Sequence, residues 1–215
     1  MTDRLTDREG AMRDYYDRRA AEYDSWWLGT GLFADRDRPG WEEERTVLRS
    51  VVAALPPCRV LDVACGTGYL TELLQGEVTA LDQSPQMVEI TRGRVPSARV
   101  VQGEGIPLPF EDRAFDRIFT SHFYGHLQPD EARAFLDEVW RVADELVVVD
   151  SAAPTPQESW QERRLEDGST TRVFKRWFTP DRLLDEVGGG EVLHAGAWYL
   201  LVRRSWEQPA AYSSA

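Results

Sequence analysis

Val60-Leu61-Asp62-Val63-Ala64-Cys65-Gly66-Thr67-Gly68 is the stretch that decides the fold, because an apolar run runs directly into a turn of small residues. Val60, Leu61 and Val63 are apolar on both sides of the pleat, as in a parallel strand covered on both faces. Gly66 and Gly68 can take positive φ and carry no Cβ, so the main chain there can come close to a ligand. Residues 69–74 are predicted to open a helix whose N-terminal N–H groups face the same spot. An ordinary strand-to-helix turn has the same outline, so the strands that follow must decide.

They decide through their carboxyl ends, where a doubly wound sheet collects its ligand groups. Residues 77–82 predict a second strand ending in Asp82 and Gln83, and a carboxylate there can accept hydrogen bonds from both hydroxyls of a ribose. Ser84 is predicted as a helix N-cap with Pro85 at the first helical position. Met87 is placed either to cover an adenine face or to fill the core. Residues 98–101 predict a third strand leading to Gly103, Glu104 and Gly105, and residues 114–122 a fourth whose end, from Ser121 and His122 to His126, lines the cleft. A helix over 131–143 carries an apolar stripe of Ala134, Phe135, Val139 and Val142, and residues 146–150 predict a buried fifth strand. A helix capped by Thr179 and stopped at Gly188 precedes two last strands at 191–193 and 198–203. The expected fold is α/β, a doubly wound, Rossmann-like, seven-stranded mixed sheet with helices on both faces and its final strand antiparallel.

At 215 residues the chain suits one domain with a sizeable core. Its expected organisation is a helical lid over 1–50, a ligand-binding half over 51–151, and a hairpin with the last strands over 152–207. A net charge of -12 argues against a nucleic-acid partner and against an anionic membrane. The polar N-terminus lacks an apolar leader and no run approaches a membrane span, so a cytoplasmic location is expected. Cys58 and Cys65 lack metal spacing and are expected as free thiols, with no metal site. The small polar tail at 208–215 is expected to fray.

Two known patterns compete for the glycine turn. The dinucleotide fingerprint needs a third glycine at position 71, which is Thr71. Asp62-Val63-Ala64-Cys65-Gly66-Thr67-Gly68 instead resembles the first motif of the class I S-adenosylmethionine-dependent methyltransferases, an acid followed by x-G-x-G-x-G, with Ala64 replacing the first glycine. The resemblance implies S-adenosylmethionine as cofactor, Asp82 on its ribose and Glu104 on its adenine amino group. Residues 102–110 are similar to the family's GDAxxLPF segment, and His126-Leu127 completes its fourth-strand element.

Tyr15-Tyr16-Asp17-Arg18-Arg19-Ala20-Ala21-Glu22-Tyr23-Asp24 is similar to a YYxxRAxEYD helix that folds over the cleft in many small-molecule members. That implies Arg19 at the cofactor carboxylate with Tyr16 beside it, although Tyr16, Tyr23 and Trp27 also read as a packing stripe. Residues 163–177 predict a β-hairpin around Asp167-Gly168. Along its second strand Val173, Lys175 and Trp177 share one face, so Lys175 sits between apolar neighbours and needs an anion or an outward path to water. The hairpin resembles the RxxLxDGxxxRxxKxF element of the branch that includes the phosphonate O-methyltransferase of dehydrophos biosynthesis, with either Arg163 or Arg164 as the matching arginine. The resemblance implies a small, anionic acceptor, a carboxylate or phosphonate, positioned by Lys175, one of those arginines and His122 or His126. An alcohol or amine acceptor would need a histidine as base. A non-catalytic cofactor-binding protein would keep the cofactor motifs without the basic hairpin, and a nicotinamide oxidoreductase would share the fold class alone.

Overall fold

The computed structural model of the protein describes residues 2–206, so the tail expected to fray lies outside the described residues. Strands β1 (Cys58–Val63), β2 (Gly76–Asp82), β3 (Arg99–Gln102), β4 (Arg117–Ser121), β5 (Glu145–Ser151), β8 (Glu191–Ala195) and β9 (Tyr199–Ser205) form one sheet in the order β3-β2-β1-β4-β5-β9-β8. The first five run parallel and β9 is antiparallel to β5 and to β8, as expected. Val147, Val148 and Val149 of β5 are fully buried, because helices cover both faces of these strands. The chain reverses its winding between β1 and β4, which puts a ligand crevice at their carboxyl ends.

The helix predicted over 69–74 is absent and a single 3-10 turn, Thr71–Leu73, takes its place. Residues 69–75 must bring the chain back to β2, and Thr71 Oγ1 donates to Asp62 Oδ2 at 2.6 Å, which holds this short connection under the sheet. Gly76 closes it at φ +99, where a Cβ would come within 2.3 Å of the Cys58 carbonyl oxygen. Elsewhere the predicted signals hold. Ser84 Oγ accepts from Met87 N at 3.1 Å at the start of α4 (Pro85–Arg94), and Thr179 caps α6 (Pro180–Val187), which ends at left-handed Gly188. Helix α5 (Pro129–Val142) buries Ala132, Phe135, Val139 and Val142; Ala134 turns instead toward a cavity.

Helices α1 (Thr2–Arg19), α2 (Asp24–Leu28) and α3 (Trp41–Ala53) precede the sheet. Asp17 on α1 ties it to α4, because its Oδ1 accepts from Ser84 Oγ at 2.5 Å and from Gln86 N at 3.1 Å. β6 (Gln157–Arg164) and β7 (Thr170–Trp177) make the predicted hairpin as a separate two-stranded sheet, and its Leu165 and Val173 pack on Tyr15 of α1. Among the described residues no helix is long and apolar enough to cross a membrane.

Candidate active site

Two cavities meet above the carboxyl ends of β1 and β4. The larger, about 560 Å³, runs from Ala64 and Gly66 past Asp82 and Met87 to Gly103, Glu104 and Gly105. The smaller, about 320 Å³, lies between α1, α3 and the hairpin. Tyr16, Tyr23, His122, His126 and Val173 belong to the walls of both.

The glycine turn shapes the larger cavity. Ala64 and Gly66 take φ 57 and φ 56, so Ala64 holds a left-handed conformation that suits glycine better, at a cost of about 1 to 2 kcal/mol. A Cβ on Gly66 would touch the Tyr23 ring at 3.4 Å. Asp82 is 7 % exposed, and its carboxylate accepts from Gly66 N and Ser84 N at 2.9 Å each. Burial raises its pKa to about 6 against those hydrogen bonds, so at neutral pH it is largely an anion facing the cavity. Gln83 lies beside it, and Leu81, Met87 and Ile106 add an apolar floor, with Met87 both core and cavity wall. Glu104 pairs with Arg13 of α1, which lays that helix across the mouth.

Three expected site residues stand elsewhere. Gly68 does not border the larger cavity; its missing Cβ leaves room for Thr91, whose Cγ2 would lie 3.1 Å away. Asp62 points beneath the turn toward Thr71, with its Oδ1 buried and unpartnered. Arg164 is exposed on the far face of β6, because strand alternation gives the cavity to Arg163. Burial raises the Asp62 carboxyl to about pH 7, so its folded pKa lies above the unfolded one and the stability it contributes falls as pH rises through 7. Asp62→Asn should therefore gain stability on wild type by about 2 to 3 kcal/mol between pH 5 and pH 8. Urea titrations at the two pH values measure this, and a pH-independent difference would refute a buried ionisable Asp62.

The hairpin face behaves as predicted, with Val173, Lys175 and Trp177 all on the smaller cavity. The anion that Lys175 requires is supplied from within, by Asp150 at the end of β5, with Nζ to Oδ1 at 2.5 Å. Both side chains are buried, and Asp150 also accepts from Gly125 N at 2.7 Å through Oδ2. Gly125 makes the pair possible, since a Cβ there would sit 2.7 Å from Asp150 Oδ1 and 2.8 Å from Lys175 Nζ. Lys175 is the chain's single lysine among 25 basic residues.

Both histidines are neutral. Burial pushes His122 and His126 down to about 3. His126 Nδ1 lies 2.6 Å from the Phe174 carbonyl oxygen, which can only accept, so Nδ1 carries the proton and Nε2 keeps its lone pair. His122 holds φ 54 at the end of β4, with Nδ1 3.5 Å from Ser151 Oγ, and its ring packs against Trp26 at 4.6 Å. Strained backbone at a strand's carboxyl end is common at functional sites. Tyr16 is raised by burial, then by Tyr23 and Tyr15, and so remains a protonated donor. Arg19, on the wall of the smaller cavity, donates to Tyr15 Oη at 2.5 Å and leaves its Nε buried without a partner.

These features fit S-adenosylmethionine: an apolar slot beside a carboxylate, a glycine turn open to close approach, and an orphaned guanidinium N–H. Residues 60–145 match the sequence profile of a family described as a methyltransferase domain. The solved complex of DhpI with SAH superposes with a TM-score of 0.70 at 26% identity, covering 91% of this chain and 96% of that one. The chain carries a class I S-adenosylmethionine-dependent methyltransferase domain. The DhpI-SAM-HEP complex superposes on this methyltransferase domain with a TM-score of 0.68, also at 26% identity, over 88% of this chain and 94% of that one. The demethylmenaquinone methyltransferase of Renibacterium salmoninarum is 34% identical over 115 residues, 52% of this chain and 48% of the relative. The chain thus spans about half the length of the curated relatives it matches.

Proposed function

We propose that the domain transfers a methyl group from S-adenosylmethionine to an oxygen of a small anionic acceptor, a carboxylate or a phosphonate. The observation that carries this reading is the smaller cavity, which gathers Arg19, Arg36, Arg38, Arg163 and Lys175 with no Asp or Glu on its walls, in a chain of net charge -12. Likeness to DhpI, solved with SAM and HEP, supports the same branch. Asp82 and Glu104 would hold the ribose and adenine, and Arg19 with Tyr16 the cofactor's carboxylate. S-adenosylmethionine, when bound, supplies a methyl carbon already activated toward nucleophiles by its positive sulfur.

The protein's share is then positioning. An ionised acid needs no base, so the residues have to hold its oxygen in line and exclude water, an effect that can supply about 7 to 11 kcal/mol. Arg163 fits a planar, two-point grip on the acid, and Lys175, with one N–H given to Asp150, has others for the acceptor oxygen. His126 favours a second reading, because its Nε2 lone pair on the shared wall could take the proton of a hydroxyl acceptor.

Labelled S-adenosylmethionine presented with a panel of small carboxylic acids, phosphonic acids, alcohols and amines separates the readings. Methylation of an acid is expected, with Arg163→Ala raising the acceptor KM 10-fold or more, about 1.4 kcal/mol, while S-adenosylhomocysteine binding changes less than twofold. Arg164→Ala should leave both unchanged. Methyl transfer to neutral acceptors alone would refute the anionic reading.

A further inference from the structure

The smaller cavity holds more cationic charge than one acid can match, and the excess lies away from the shared wall. Arg38 is held in place: Nη1 donates to the Trp26 carbonyl oxygen at 3.0 Å, Nη2 to that of Phe33 at 3.5 Å, and the guanidinium lies 4.1 Å from the Trp41 ring centroid. Arg36 stacks on Phe33 at 4.6 Å, and the same ring carries Arg19 at 5.8 Å. Among the described residues none of Arg19, Arg36, Arg38 and Arg163 forms an ion pair, whereas Arg59, Arg117, Arg141 and Arg176 are each matched with an acid. Burial lowers the basicity of Arg163, and the charges of Arg19 and Arg36 lower it further, so these guanidinium groups repel one another in the absence of an anion.

Two anions are accounted for by the proposed function, the cofactor's carboxylate at Arg19 and the methyl-accepting acid beside His126 and Lys175. Arg36 and Arg38 remain. Arg36 is exposed and Arg38 half-buried, so the pair stays charged and accessible, and two unmatched cations on one cavity wall attract an anion when one arrives. At about 320 Å³ the cavity has room for a small molecule longer than a simple monoacid.

We infer that Arg36 and Arg38 form a second anion subsite, so that the acceptor is a small bis-anion: one acidic group receives the methyl group at the shared wall, and the other is held at these arginines. This rests on the anionic-acceptor reading above. The second anion is a recognition handle, retained in the product, and the product leaves with one negative charge fewer.

Calorimetry on the protein saturated with S-adenosylhomocysteine tests this with two probes of equal length, propylphosphonate and 3-phosphonopropionate. The bis-anion is expected to bind at least 10-fold more tightly. Arg36→Ala with Arg38→Ala should erase that preference while leaving propylphosphonate affinity within twofold. Because Arg38 also braces Trp26, Arg36→Ala alone serves as the milder variant and should reduce the preference at least threefold. Equal binding of the two probes, or a preference that survives both arginine variants, overturns the second subsite while propylphosphonate binding that Arg163→Ala weakens upholds the anionic acceptor. Absence of binding by either probe overturns both.

Discussion

Asp150→Ala is expected to lower the unfolding free energy by about 3 to 5 kcal/mol, the cost of stranding a buried charge by removing its partner. Lys175 is 4 % exposed and has Asp150 as its carboxylate, so truncation leaves an ammonium group enclosed by Val173, Trp177 and the 3-10 turn at Tyr124–His126. It also removes the acceptors of Gly125 N and Ser151 N, both at 2.7 Å. Urea unfolding measures the loss. The double variant Asp150→Asn with Lys175→Met, which removes both charges and nearly keeps the volume, should recover most of it, and an equally unstable double variant would refute the charge-pair explanation. The pair also sets an acid limit. Burial alone would raise the Asp150 carboxyl, but the Lys175 ammonium group holds it at about 2. A folded pKa below the unfolded one gives stability that is present above pH 4 and lost as pH falls toward 2, and Asp150→Asn should flatten that limb.

Asp82→Ala should weaken S-adenosylhomocysteine binding by about 100-fold or more. A carboxylate accepting from two ribose hydroxyls loses about 1.5 to 3 kcal/mol for each charged hydrogen bond, and each 1.4 kcal/mol is a factor of ten. Asp82 stands at the end of β2 with its oxygens already fixed by Gly66 N and Ser84 N, so its orientation is set before a ligand arrives. Removing it also leaves those two N–H groups without their acceptor, so calorimetry should be run where circular dichroism shows the variant folded. Wild-type affinity in a folded variant would refute the placement of the ribose.

The parts of the fold legible in the sequence are those governed by local chemistry. Buried strands appear as unbroken apolar runs, Ser84 and Thr179 announce helices by capping, and Asp167-Gly168 announces the hairpin, because each signal is made and satisfied within a few residues. The misread connection after Gly68 failed for a related reason: a strand running into a glycine turn suggests a helix over 69–74, but the short return to β2 leaves room for only a 3-10 turn. At the site, alternation correctly put Lys175 between apolar neighbours, where it needed either an anion or an outward path to water, and the fold supplies the anion. Which anion it meets depends on the separate hairpin sheet packing over the end of β5, a tertiary contact that no local pattern contains. Strand alternation also separates Arg163 from Arg164, once the register of β6 against β7 is known. Arg36 and Arg38 belong to a loop with no periodicity, and only the folded chain brings them to Arg163.

A chain with one lysine, enclosed between the hairpin and β5, contains its own reporter of local opening. Amine-acylating reagents can modify Lys175 only in molecules whose hairpin has lifted from Asp150, so with rapid reclosing the acylation rate measures the free energy of that excursion directly. Chemistry at a single atom thus resolves the motion of the hairpin from global unfolding without introducing a label.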